Sequence, residues 1–548
     1  MLRFIENYTN EKFDVLVVGG GITGASVAYE AAARGLKVAL LEKKDFSWAT
    51  SSVTSKLIHG GLRYLANGEI GLVRESLRER RVLENIAPNF VYPIPILMTH
   101  YKKPLKNSKW VVKAGMLMYD ALSYDKKYTW DASKKIPRHK TISRRTVLES
   151  EKNVRPAGLT GASLFYDCMS IFPERLTLAF IKSAAACGAK VANYAKVESF
   201  LTDAQKNVAG VRVKDLLTGK TMAISSSVTI NCAGPWADLL LGLAESNSAG
   251  GAALRRSEGI HIITKKKLVS GKYVVACMTP KGRHFFLIPW RGHTIIGTTD
   301  KPFVGNPDAY HVTKAGILEL IDEVNGSFGD GTLSYADVVH TYGGLRPLVE
   351  GQTEETYTSS RRYEILDNKE NGLNGLITAE GGKFTTSRNL AEKCVDLVEA
   401  KLGRPRAKSK TARHHLAGCR IKNLNFFMEE IHQHNTNGFC RNTLDYLGRC
   451  YGTDYRAITK LAHENKELAE QINEDGEIFA EVVYAVREEM ARTLSDIVLR
   501  RTGIATLGNP GEKILRKVAV VAAKELQWTP ERMEREIAGT INTLRLPQ

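Results

Sequence analysis

The sequence lacks the patterns that mark disulfide-rich, zinc-binding and membrane-spanning proteins. Its eight cysteines are scattered and form no Cys-x-x-Cys pair, which excludes a disulfide framework and a cysteine-based zinc site and indicates a reduced, intracellular setting. No apolar run approaches the ~20 residues of a membrane-spanning helix, and no apolar signal segment precedes the first strand. The 548 residues, 43% of them hydrophobic and 25% charged, are instead typical of a globular chain with two or three domains.

Acidic residues are fewer than basic residues. Lys and Arg number 77 against 59 Asp and Glu, a net charge of +18. Such a balance favours phosphate-bearing substrates, anionic lipid or nucleic acid as partners, although a solvated basic surface without a partner explains it too. The sequence contains no basic strand in which aromatic residues alternate with lysine or arginine, and no recognition-helix motif. Nucleic acid is therefore not an expected partner.

The most informative stretch is a glycine-rich turn near the start of the chain. Residues 15–18 are apolar without polar alternation, as in a strand buried on both faces of a parallel sheet. Gly19, Gly21 and Gly24 then satisfy G-x-G-x-x-G before an alanine-rich helix, and a second strand ends in Glu42, where a ribose needs an acceptor. The pattern predicts a dinucleotide site, without separating FAD from NAD.

Residues 43–64, here called the hydroxyl-rich loop, follow Glu42 directly. A nicotinamide enzyme would be expected to continue with the next βα unit at this point. The long serine-rich excursion favours FAD instead, although serine and threonine are common in loops of any kind.

Several strings in the chain resemble the FAD-dependent glycerol-3-phosphate dehydrogenases of the D-amino-acid-oxidase-like flavoprotein superfamily. They are the glycine turn, Ala-Thr-Ser-Ser at 49–52, Ser-Lys-Leu-Ile-His-Gly-Gly-Leu-Arg-Tyr at 55–64 and Asp-Ile-Val-Leu-Arg-Arg-Thr at 496–502. The resemblance implies an α/β fold in which a Rossmann-like FAD-binding domain is interleaved with a β-rich substrate domain over residues 1–400. A linker at 401–410 and a C-terminal α-helical domain at 411–548 would follow.

Motif spacing and this resemblance together nominate the residues that hold FAD. They belong to the glycine turn, the hydroxyl-rich loop, a strand over the adenine and two later strand ends. The set is Gly19, Gly20, Gly21, Ile22, Thr23, Gly24, Glu42, Thr50, Ser51, Ser52, Ser55, Leu57, His59, Gly60, Val197, Ala233, Gly234, Lys383, Phe384 and Thr385.

Cationic groups for a phosphorylated substrate are expected inside motif-bearing strings rather than in lysine-dense surface stretches. Arg63, Arg346, Arg361 and Lys383 meet that condition, and arginine binds phosphate bidentately. Each alone could equally form a structural ion pair. The resemblance implies that Arg63 closes the phosphate pocket together with its neighbour Tyr64.

A base is also needed to take the hydroxyl proton. His261 lies among Ile260, Ile262 and Ile263 and therefore alternates onto one face of a strand. A histidine in such a strand is often a core residue, but the family carries a substrate-side histidine there. His261 is therefore expected to act as base or to orient the hydroxyl, with Arg346 steadying the alkoxide or the phosphate.

The sequence thus predicts oxidation of sn-glycerol 3-phosphate to dihydroxyacetone phosphate with electrons passed to a membrane quinone. A glycerol-3-phosphate oxidase that uses O2 is the alternative. A flavoprotein that acts as a scaffold without catalysis is a third hypothesis. Residues 102–128 mix lysines with apolar residues and a tryptophan, which fits either an anionic membrane surface or a core helix with a basic outer face. The expected location is the cytoplasm, peripherally on the inner face of the cell membrane; homodimer formation stays open.

Overall fold

The structure is a computed structural model that describes residues 1–102, 108–244, 254–279, 282–328, 331–348, 362–435 and 438–548. The strands are β1 Phe13–Val18, β2 Val38–Leu41, β3 Leu57–Ile58, β4 Val91–Tyr101, β5 Lys140–Ser143, β6 Leu159–Ser170, β7 Lys190–Ala192, β8 Ala195–Thr202, β9 Val208–Asp215, β10 Thr221–Asn231, β11 Arg255–Thr264, β12 Val274–Met278, β13 His284–Trp290, β14 His293–Gly297, β15 Lys301–Phe303, β16 Val338–Leu348, β17 Tyr363–Asp367 and β18 Leu376–Gly381.

The α-helices are α1 Ile22–Ala33, α2 Leu62–Ala66, α3 Ile70–Ile86, α4 Lys109–Leu122, α5 Arg144–Ser150, α6 Pro173–Ala186, α7 Ala237–Gly242, α8 Lys314–Phe328, α9 Ser387–Lys401, α10 Leu424–Gln433, α11 Arg441–Tyr451, α12 Tyr455–Glu464, α13 Phe479–Glu489, α14 Leu494–Asp496, α15 Glu512–Leu526 and α16 Pro530–Leu544. A π-helical turn, Ile497–Arg501, continues α14.

The first sheet contains the glycine turn. Within the described ranges it has eight strands, in the order β17-β18-β10-β1-β2-β7, with β9 beside β10 and β8 beside β9. Its pairs from β18 to β7 are parallel. One face packs on α1, α6 and α9, and the other carries a second apolar cluster. Covering both faces explains why β1 has no polar alternation.

The second sheet is built from strands that interrupt the first. Its ten strands within the described part of the chain run β15-β11-β14-β13-β12-β4-β6-β3, with β16 beside β11 and β5 beside β6. The chain enters this sheet between β2 and β7 and again between β10 and β17. This alternation is the interleaving of two domains that the sequence predicts, and the predicted α/β fold class is confirmed.

The sequence pattern of residues 190–197 predicts one continuous strand. That prediction is wrong, because the structure divides the segment into β7 and β8. Between them Asn193 donates to the Asp45 carboxylate at 3.0 Å. Tyr194 takes a positive φ of 53° and donates its hydroxyl to Asp496 at 2.7 Å. These hydrogen bonds to distant residues bend the chain between β7 and β8, where the local sequence alone predicts a continuous strand.

The C-terminal helices pack on the first sheet through buried ion pairs. Asp45, just after β2, accepts from Arg500 at 2.6 Å and from Arg501 at 2.7 Å, and Glu489 accepts from Arg175 of α6 at 2.9 Å. The segment after α9, predicted as a linker, is held against the first domain by an ion pair between Arg404 and Asp14. The division into domains at this segment stays a prediction.

A threonine cap at 529, a proline at 530 and apolar residues at spacings of three and four predict a helix over residues 530–544. Helix α16 has these bounds. Pro530 occupies its first turn, and the Thr529 side chain accepts from the Arg532 amide at 3.2 Å, as an N-cap should. In the part of the chain that the structure describes, no helix has the length and apolar character needed to cross a bilayer.

Candidate active site

A cleft of about 350 Å³ opens at the carboxyl ends of β1, β2 and β10, where α/β sheets usually bind their ligands. The glycine turn and the hydroxyl-rich loop form one wall. The segments after β10 and β18 form the other, ending at Lys383 and Phe384. The cleft is therefore bounded by the stretches that the sequence singles out.

Backbone packing leaves no room for side chains in the glycine turn. Gly19 has φ +115°, and a Cβ on it would lie 2.4 Å from the Cys232 carbonyl oxygen. A Cβ on Gly24 would lie 1.9 Å from the Gly19 carbonyl oxygen. The first amide of α1, Ile22 N–H, donates to Ser51 Oγ at 2.9 Å. The turn thus brings bare backbone and a helix N-terminus to the cleft, as a pyrophosphate requires.

Glu42 is fixed at the end of β2 by two backbone amides. Its carboxylate accepts from Gly20 N–H at 2.6 Å and from Lys44 N–H at 2.8 Å, and it lines the cleft. Burial raises the pKa of Glu42, against the lowering effect of these hydrogen bonds. A carboxylate held this way is placed to accept from ribose hydroxyls.

The structure brings most of the predicted FAD-binding residues to the cleft wall: Gly19, Gly21, Ile22, Thr23, Glu42, Thr50, Ser51, Val197, Ala233, Gly234, Lys383 and Phe384. The others lie behind it. Gly20 and Gly24 are inside the turn. Ser52 donates its hydroxyl to the Ala49 carbonyl at 3.1 Å, and Ser55 contacts His261. Leu57 pairs with Met169 in the second sheet. His59 N–H donates to Thr385 Oγ1 at 3.3 Å, beside Gly60. Their roles toward a ligand stay predictions.

Three of the predicted substrate residues form one group around Lys383, which lines the cleft. Lys383 Nζ lies 3.5 Å from the Gly60 carbonyl oxygen and 4.6 Å from the centroid of the Tyr64 ring. Arg63 Nη2 donates to the Tyr64 hydroxyl at 3.1 Å. Burial lowers the pKa of Lys383 to about 7, with Glu75 and Asp167 opposing that effect and Arg63 adding to it. Residues more than 300 positions apart in the chain thus provide neighbouring cations.

His261 belongs to a second group, on β11 beside β16. Its Nε2 lies 2.8 Å from Ser55 Oγ, and its ring stacks on Tyr342 with centroids 5.0 Å apart. Nδ1 is buried and makes no hydrogen bond with the described residues. Burial, then the charges of Arg346 and Lys56, hold the pKa of His261 well below its usual value. The imidazole is therefore neutral at neutral pH.

Arg346 is held next to this group by strand partners. Its Nη2 donates to Thr298 Oγ1 at 2.7 Å, and the guanidinium lies 3.7 Å from the Asp300 carboxylate. The next residue, Pro347, reaches the cleft wall. Arg361, the remaining predicted cation, lies outside the described residues.

The hydroxyl-rich loop connects the two groups. It contacts His261 through Ser55 and Lys383 through Gly60. The spatial relation between the predicted base and the predicted phosphate cations is therefore set by about five residues of one loop.

Sequence reasoning missed a buried cluster under that loop. Asp167 of β6 accepts from the Tyr119 hydroxyl at 2.7 Å, forms an ion pair with Arg80, and accepts from Gly60 N–H at 3.4 Å. The available signal was a lone carboxylate in the otherwise uncharged strand β6. No set of three His, Cys, Asp or Glu side chains in the described ranges could hold a metal ion.

Comparison with known proteins agrees with this geometry. The family model described as FAD dependent oxidoreductase matches residues 14–395, and the C-terminal domain of alpha-glycerophosphate oxidase matches residues 409–533. A glycerol-3-phosphate dehydrogenase of Synechocystis is 34% identical over 98% of this chain and 97% of its own length. One from Mycobacterium leprae is 34% identical over 97% of this chain and 88% of its own.

The chain belongs to the FAD-dependent glycerol-3-phosphate dehydrogenase family. A solved structure agrees: the Bacillus halodurans glycerol-3-phosphate dehydrogenase complexed with FAD superposes with a TM-score of 0.78 at 28% identity, covering 97% of this chain and 95% of that one. The L-alpha-glycerophosphate oxidase of Mycoplasma pneumoniae, at 17% identity and a TM-score of 0.56 over 74% of this chain, shares the fold.

FAD is the cofactor of this family, and the cleft fits it. The bare glycine turn at the start of α1 suits the pyrophosphate, and Glu42 suits the adenosine ribose. The cleft continues from there to Lys383 and Phe384, which extends it beyond the space that a mononucleotide would need.

Proposed function

We propose that the protein oxidises sn-glycerol 3-phosphate to dihydroxyacetone phosphate and passes the electrons to a membrane quinone. The observation that carries the substrate assignment is the group formed by Lys383, which lines the cleft, with Tyr64 and Arg63 beside it. Two neighbouring cations match the two negative charges of a phosphate monoester. The names of the relatives support the same substrate.

The chain's own side chains would divide the remaining work. Bound FAD supplies the hydride acceptor. His261, neutral because it is buried, would accept the C2 hydroxyl proton or orient that hydroxyl, and Ser55 would fix its ring through Nε2. Arg346 would stabilise the negative charge that develops on the alkoxide oxygen. Lys383 would gain proton affinity when the phosphate dianion binds beside it.

A peripheral membrane position is part of the proposal, because a quinone resides in the bilayer. Helix α4 supports it. Its outward face exposes Trp110 at 72% and Leu117 at 57%, and Lys109 and Lys113 lie within 6 Å of the Trp110 ring. Apolar side chains beside lysines on an exposed helix face are suited to the surface of a membrane that contains anionic lipids. The inner face of the cell membrane is the matching location.

The rival acceptor is O2, which would make the protein a glycerol-3-phosphate oxidase. The match of residues 409–533 to a domain described from alpha-glycerophosphate oxidase favours keeping it as the second candidate. The same reductive half-reaction serves both.

The test is anaerobic flavin bleaching followed by reoxidation. We expect sn-glycerol 3-phosphate to bleach the flavin and glycerol, which lacks the phosphate, to leave it yellow. A short-chain quinone should then restore the colour faster than air. Faster recovery in air favours the oxidase, and bleaching by glycerol or by an amino acid at equal concentration would overturn the substrate assignment. Lys383→Met should need far more substrate for bleaching, and the exposed control Lys214→Met should not.

A further inference from the structure

A second cavity, of about 390 Å³, lies between α3 and α9 and shares no lining residue with the cleft. Four arginines border it, and they come from three separate segments: Arg78 and Arg81 from α3, Arg388 from α9, and Arg413 from the chain that follows α9. We call it the arginine pocket. Separate segments converging on one cavity with the same charged side chain are not accounted for by helix amphipathicity.

The two acids of the arginine pocket are paired with two of its own arginines, Arg388 and Arg78. Glu79 and Glu392 are its two carboxylates, and Arg388 donates to Glu79 at 2.7 and 2.8 Å and to Glu392 at 2.8 Å. Arg78 also lies 3.2 Å from Glu79. Arg413 forms no ion pair with the described residues and is exposed. Arg81 lies 3.2 Å from Asp125, which is outside the pocket lining. The four arginines still outnumber the two carboxylates that line the pocket, and Arg78 and Arg413 are accessible at its edge.

Aromatic side chains stand beside these arginines. Trp130 borders the pocket with 45% of its surface exposed, and its backbone amide is fixed by Asn85 Oδ1 at 2.9 Å. Tyr124 and Tyr128, exposed at 63% and 58%, precede it on the segment that leads directly from α4. Exposed aromatics next to basic groups are typical of protein surfaces at the headgroup level of a bilayer.

We propose that the arginine pocket binds a phosphate group, as a second anion site distinct from the catalytic cleft. Guanidinium groups match phosphate oxygens in geometry and charge. The four arginines of the pocket outnumber its two carboxylates, and Arg78 and Arg413 are the accessible pair among them. The phosphate belongs either to an anionic lipid headgroup, reached when α4 lies on a membrane, or to a soluble phosphate. The site does not depend on the proposed reaction.

The test compares a pocket variant with a charge-matched control in the FAD-loaded enzyme. The pocket variant is Arg78→Ala with Arg413→Ala. The control, Arg145→Ala with Arg212→Ala, removes two exposed arginines elsewhere. Each is titrated with inorganic phosphate. Trp130 fluorescence reports on the pocket, and comparison of the wild type with Trp130→Phe identifies the part of the signal that comes from Trp130. Flavin absorbance reports on the cleft. Each is also sedimented with phosphatidylcholine vesicles with and without phosphatidylglycerol.

We expect at least tenfold weaker binding by the pocket variant and less than twofold change in the control. If the pocket variant loses only its binding to vesicles that contain phosphatidylglycerol, the ligand is a lipid phosphate. If it loses the Trp130 fluorescence response to inorganic phosphate, the ligand is a soluble phosphate. Pocket and control variants that agree within twofold in both assays would overturn the site. Anaerobic bleaching by sn-glycerol 3-phosphate should be equal in both variants, so failure of the proposed activity would be seen separately.

Discussion

Replacing Lys383 by methionine is expected to make the protein more stable and less active at the same time. The ammonium group sits at the wall of the cleft, where burial lowers its pKa from 10.5 to about 7. The charged form is therefore disfavoured in the folded state relative to the unfolded chain. Methionine keeps most of the packing volume and removes the charge.

The magnitude follows from the two pKa values. Each tenfold change in a protonation equilibrium corresponds to about 1.4 kcal/mol, so lowering the pKa from 10.5 to about 7 disfavours the folded charged form by ~5 kcal/mol. Below pH 7 the whole cost is present, and it disappears as the pH rises from 7 towards 10.5. Linkage gives ~5 kcal/mol at pH 6 and ~2 kcal/mol at pH 9. Because the Lys383 side chain is partly accessible, solvent screens its charge, and we expect about half of each.

The assay is unfolding of the FAD-loaded, substrate-free enzyme between pH 6 and pH 9, followed by tryptophan fluorescence. Lys383→Met should be more stable than wild type by ~2 kcal/mol at pH 6, and this advantage should shrink by more than half at pH 9. Its kcat/KM should fall by roughly 10- to 150-fold, the usual cost of a lost charged hydrogen bond. Lys214→Met on the surface controls for general charge effects. An advantage that does not change with pH would show that the charge of Lys383 costs the fold nothing.

Three further changes test other parts of the structure. Gly24→Ala should abolish FAD retention, because its Cβ would lie 1.9 Å from a carbonyl oxygen; a fully yellow variant would contradict the packing. His261→Asn should lower kcat by roughly 10²- to 10⁴-fold and change KM little, and a variant with wild-type kcat would remove the histidine from the reaction. Asp45→Asn should cost ~3–5 kcal/mol of stability, because Arg500 and Arg501 lose their buried carboxylate; Asp203→Asn on the surface is the matched control for thermal unfolding.

The parts of the fold that sequence predicts correctly are those fixed by neighbours in the chain. The first strand, the glycine turn and α1 follow from an apolar run, from glycines where no Cβ fits, and from an alanine-rich helix. Helix α16 follows from a threonine cap, a proline and apolar spacing. Each signal lies within about 20 residues and needs no partner from elsewhere.

What the sequence could not predict depends on distant partners. The bend between β7 and β8 exists because Asn193 and Tyr194 bond to Asp45 and Asp496. Likewise, the contact between Lys383 and Gly60 joins the end of β18 to a loop more than 300 residues earlier. Motif reading nominated both ends of that contact but gave no distance between them, and it missed Asp167 because its partners Tyr119 and Arg80 lie on two other elements.

The C-terminal helices have a physical connection to the cofactor cleft, although none of their residues lines it. Glu42, which lines the cleft, is only three residues from Asp45, and both carboxylates are buried. Arg500 and Arg501 hold the pKa of Asp45 to about 2 against the burial that would raise it, so Asp45 stays charged and bound to both guanidiniums at physiological pH. Since an unpaired carboxylate could not remain buried there, the C-terminal helical region fixes the end of β2. We infer that it contributes to the position of Glu42, and hence to cofactor binding, without touching the cofactor.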